Sequence, residues 1–65
     1  MALTEISQLL IDFLQTSKAS EFEQFMAYRT VTTEEQQLAL CRFLSANESA
    51  TGETILEQAQ KIAAK

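Results

Sequence analysis

Histidine, proline and tryptophan are absent from these 65 residues, and glycine and cysteine occur once each. Without histidine the commonest general base near neutral pH is missing. With Cys41 as the one soft ligand, a structural zinc site is excluded for practical purposes, and no internal disulfide can form. Basic residues are also scarce. Five lysines and arginines stand against nine carboxylates, a net charge of −4, which disfavours nucleic acid and anionic membrane as partners. No apolar run approaches the roughly 20 residues of a membrane span, since Leu9-Leu10-Ile11 is cut by Asp12. The opening Met1–Glu5 carries no basic side chain, so no secretory signal is expected. Together with an unpaired cysteine, this points to the cytoplasm.

The want of proline and glycine also leaves few breaks, and the β-branched residues never alternate as a strand requires. With 46% hydrophobic residues, the expected architecture is all-α. It is a small bundle of four short helices at approximately 4–15, 20–29, 33–46 and 53–64, with antiparallel neighbours, forming one domain over residues 1–65. In the first helix Ile6, Leu9, Leu10, Phe13 and Leu14 share a stripe, while Ile11 lies among Thr4, Ser7, Gln8 and Gln15 on the polar side. Ser20 and Glu23 then form a capping box. The second helix is expected to carry Phe22, Phe25 and Met26 inward, with the Arg29 stem extending that stripe. Thr32 with Glu35, or Thr33 with Gln36, caps the third helix. Asn47–Gly52 is the densest cluster of turn formers and reads as a flexible loop. The fourth helix places Ile55, Leu56, Ala59, Ile62 and Ala63 on one side, with Glu57 and Lys61 paired on the other.

The third helix has unusual apolar girth. Ala39, Leu40, Phe43 and Leu44 form a stripe, Cys41 widens it, and Leu38 falls almost opposite. Such a helix needs neighbours on more than one side. A chain this short hides only about 60% of its unfolded surface, so association is the stabilising device left open to it.

Candidate chemistry is sparse. Cys41 is flanked by Leu40 and Arg42 in mid-helix, where a free cysteine behaves as a small core hydrophobe. The pairs Glu21/Glu23 and Glu34/Glu35 sit at helix amino-termini, where negative charge offsets the helix dipole without any ligand. EF-hand, P-loop and dinucleotide-binding patterns are missing, and Ser49 lacks the surroundings of an acyl-carrier attachment serine. No catalytic, cofactor or metal residues are therefore assigned. The apolar residues left after one core is built are Ile11, Tyr28 and Leu38; with Cys41, which a dimer would bury beside Leu38, they form the candidate interface.

These observations favour a non-catalytic protein–protein interaction module, a small regulator or adaptor acting as a homodimer through helix three and helix one. Another protein of unidentified kind would be its further partner. The alternative is a helix-turn-helix DNA-binding regulator, with helices two and three as the motif and Gln36 and Gln37 as base readers. Against it, Glu34 and Glu35 would face phosphate.

Overall fold

The computed structural model describes residues 3–64. Met1, Ala2 and Lys65, and with them the expectation for the chain's opening residues, lie outside the described residues, as do the side chains of Leu3 and Thr4. The helices are α1 (Leu3–Thr16), α2 (Glu21–Thr30), α3 (Glu34–Ala46) and α4 (Gly52–Ala63). The all-α bundle expected from the periodicity is the architecture observed, and the helix boundaries match within one or two residues.

Local chemistry accounts for those boundaries. The Ser20 hydroxyl accepts from the Glu23 N–H at 3.3 Å, and the Glu23 carboxylate accepts from the Ser20 N–H at 2.9 Å. Of the two capping boxes open to α3, the one formed is Thr33 with Gln36, whose Oε1 also accepts from the Thr32 N–H at 3.0 Å. Each such cap is worth about 1 kcal/mol. Thr51 caps α4 by accepting from the Thr54 N–H at 3.3 Å. Gly52 is therefore the first residue of a helix rather than part of the loop, and it is buried. The connection before it is short and bonded: the Ala50 N–H donates to the Asn47 carbonyl at 3.0 Å, and Asn47 Nδ2 donates to the Phe43 carbonyl at 2.9 Å.

The helices pack in a closed cycle, α1 against α2, α2 against α4, α4 against α3 and α3 against α1. The consecutive helices α2 and α3 lie across the cycle from one another and barely touch. Ile6, Leu10 and Leu14 from α1, Leu40 from α3, Ile55 from α4 and Val31 after α2 are almost wholly enclosed. Burying each of these side chains contributes about 1.5–3 kcal/mol.

Helix α2 contributes least bulk, and here the structure corrects the sequence reading. Its inward residue is Ala27, followed by Val31 beyond its end, while Phe22 is 70% exposed, Phe25 55% and Met26 36%. Successive residues turn about 100°, so Phe22 and Phe25 lie opposite the side formed by Ala27 and Val31, with Met26 flanking them. The other three helices already supply large branched side chains to the centre. A small residue is what the fourth side can bring close to them without overpacking.

Helix α3 is also rotated from the expected stripe. Gln37, Leu40, Cys41 and Leu44 face inward, with Leu38, Ala39 and Phe43 half-buried at the margins. Its girth is met largely within the chain, because α1 covers one side and α4 the other. Gln37 is only 5% exposed. Its Oε1 accepts from the Ser7 hydroxyl at 2.8 Å and its Nε2 donates to the Val31 carbonyl at 3.3 Å. Both functions of the buried amide are thereby satisfied, and it ties α1 and the α2–α3 turn to α3.

Candidate interaction surface

The residues singled out from the sequence divide between two grooves. Ile11 and Tyr28 come together on the α1/α2 side, in a recess of about 240 Å³ that Leu14, Glu21, Gln24 and Phe25 also line. Ile11 is half-buried there rather than on a purely polar face. Leu38 and Cys41 border a second, open groove of about 310 Å³ between α1 and α3, beside Leu9, Phe13 and Arg42. Leu9 flanks the core instead of entering it. Both recesses fall at or below the smallest small-molecule sites, and each has room for one or two side chains.

Cys41 is 4% exposed and belongs to the core cluster. Burial pushes its thiol pKa above the ordinary value near 9.0, because a thiolate there would lose its hydration. It is held as a protonated, poorly nucleophilic group. Among the described residues no three histidine, cysteine, aspartate or glutamate side chains gather as a metal-holding group, and no helix is long and apolar enough to cross a membrane.

Among the described residues, α2 carries three of the four large exposed apolar side chains, all of them expected inside from the sequence. Phe22, Phe25 and Met26 project from the outer side of α2, and the Arg29 guanidinium lies over the Phe25 ring at 5.6 Å from its centroid. A phenylalanine presents about 200 Å² in all, so these three side chains leave on the order of 300 Å² of apolar surface in one patch. That is the size at which the largest patch of a small protein is commonly functional. The signal available in the sequence was Ala27 with Val31 four residues later, smaller apolar residues on the side of α2 facing away from its aromatics.

The geometry also bears on base reading. Gln37 is buried and doubly bonded, and Gln36 is committed to capping α3. The exposed side chains at the leading end of α3 are the carboxylates of Glu34 and Glu35. No protein-family model, curated protein or solved structure matches this chain.

Proposed function

We propose that the protein is a non-catalytic interaction module, a small regulator or adaptor that docks through the outer face of α2. The observation carrying this reading is the orientation of that helix: Ala27 turned into the core, Phe22, Phe25 and Met26 turned out. Aromatic residues, methionine and arginine are the types enriched at the centres of protein interfaces. The patch combines all three types. The protonated, enclosed Cys41 is consistent with a reducing cytoplasm, which is part of the same reading.

Duplex-DNA binding through α2 and α3 is the weaker reading. A helix-turn-helix needs its two helices packed against each other and free polar side chains on the second. Here the two helices lie across the bundle, and both candidate glutamines are engaged within the chain.

The test is a photo-crosslinking amino acid placed at Phe22 in the full chain, in its native cells, with a control at exposed Gln60 on α4. A discrete adduct from position 22 that the control does not give supports docking, and its mass separates self-association from another protein. Only background adducts from position 22 would overturn the reading. In parallel, Phe22→Ser should leave the thermal midpoint within about 3 °C, because an exposed side chain away from the core is worth little to the monomer's stability.

A further inference from the structure

Resting on that reading, we infer that the occupant of the α2 face is a second copy of this chain, with two α2 helices packed antiparallel across a twofold axis at Phe25. Three observations carry it.

The first is charge. Glu21, Phe25 and Arg29 lie four residues apart and so form one row along α2. All three are exposed. The row is acidic at one end, aromatic in the middle and basic at the other. Reversed by a twofold axis through Phe25, it is complementary to itself. Each Glu21 stands about 6 Å along the helix from the centre and meets the partner's Arg29 at the same height. Arginine suits this position, since its weakly hydrated guanidinium tolerates an interface better than an ammonium group does.

The second is shape. The projecting Phe25 lies beside the α1/α2 recess lined by Ile11, Leu14, Gln24 and Tyr28. Each copy thus carries both a ridge and an adjoining hollow on one face, as a twofold interface requires.

The third is area. A weak, specific dimer buries somewhat under 1,200 Å² in total, or about 600 Å² per copy. The apolar patch supplies about half of that, and Ile11, Tyr28, Glu21 and Arg29 border it to supply more. On a molecule whose surface is 4310 Å² this is a modest share. Interfaces of that size belong to the weak, transient class, and the expected dimer is one that dissociates in the micromolar range rather than a permanent one.

Sedimentation equilibrium on the full chain at physiological salt tests the inference. The wild type should pass from monomer to dimer as its concentration rises through about 10–100 µM. Glu21→Arg alone and Arg29→Glu alone each juxtapose like charges twice across the axis, and each should weaken association at least about tenfold. An equimolar mixture of those two variants contains only opposite-charge pairs in the mixed dimer, and it should recover association to within about threefold of the wild type. Phe25→Glu should remove the dimer while circular dichroism reports an intact helical fold.

Two results would overturn the inference. One is a wild type that stays monomeric at about 0.5 mM, the concentration where even a poor interface populates a complex. The other is a dimer indifferent to both charge variants and to Phe25→Glu, which would place the contact elsewhere. A monomeric wild type that still gives a discrete foreign adduct from position 22 sinks the second-copy inference and leaves the docking reading standing. A monomer without any adduct ends both.

Discussion

Replacing Gly52 by alanine should destabilise this protein, although alanine is the better helix former. A Cβ built on Gly52 would run into the Glu23 carboxylate, with Oε2 only 2.7 Å away. That carboxylate closes the capping box of α2, and it also lies against the amino-terminus of α4, where a negative charge is favoured. The alanine methyl would displace it. Losing the Ser20 hydrogen bond costs about 1 kcal/mol, and withdrawing charge from the α4 terminus costs about 0.3–1 kcal/mol more. Against this, exchanging glycine for alanine in a helix returns up to about 1 kcal/mol, and less at the first position. The expected net loss is about 0.5–1 kcal/mol, or roughly 2–8 °C in the thermal midpoint of so small a domain. The sign should invert once the obstruction is gone: in a Glu23→Ala background, Gly52→Ala should stabilise by about 0.5 kcal/mol. Urea denaturation followed by circular dichroism on the four proteins of this cycle measures the coupling, expected near 1 kcal/mol. Additivity within about 0.3 kcal/mol would refute the reasoning, because the two residues would then not share space.

Gln37→Ala should cost about 1–3 kcal/mol in the same assay, since the Val31 carbonyl and the Ser7 hydroxyl lose their buried partner; a loss below about 0.5 kcal/mol would mean that water replaces the amide there. Cys41 should resist a thiol reagent at neutral pH and react at the rate of a free thiol only when urea unfolds the chain, with fast labelling of the folded protein as the contrary result. Its raised folded-state pKa also carries a pH dependence. Below about pH 9 both folded and unfolded chains hold the proton, and its contribution to stability is complete. As the pH rises further the unfolded chain releases the proton first, so stability falls towards the folded-state value. Cys41→Ala should show a shallower alkaline decline in urea midpoint than the wild type, and identical slopes would remove burial of the thiol as the cause.

What the sequence made legible follows the range of the interactions responsible. Helix ends are set by contacts within four residues, so spacing alone locates Ser20 with Glu23 and narrows the α3 cap to two registers, of which the structure forms Thr33 with Gln36. The facing of α1 and α4 was mostly legible as well, because each has a single dominant apolar stripe. Helix α2 has two stripes, one of large residues and one of small, and the choice between them depends on how much volume the other helices deliver to the centre. No local pattern contains that quantity. Gln37 was misread for a related reason: a polar residue becomes a sound core residue only when Ser7 and the Val31 carbonyl, distant in sequence or direction, arrive beside it. Gly52 looked like loop because its helix begins on the Thr51 hydroxyl just before it, and the room it leaves is taken by a side chain from α2.

The outward turn of the α2 aromatics separates two burdens that small proteins often place on the same side chains. Cohesion rests on Ile6, Leu10, Leu40 and Ile55, whereas Phe22, Phe25 and Met26 are left almost idle in holding the monomer together. Substitution on that outer row is therefore free to retune which surfaces the molecule adheres to, and how tenaciously, without sending the chain back through the search for a new interior.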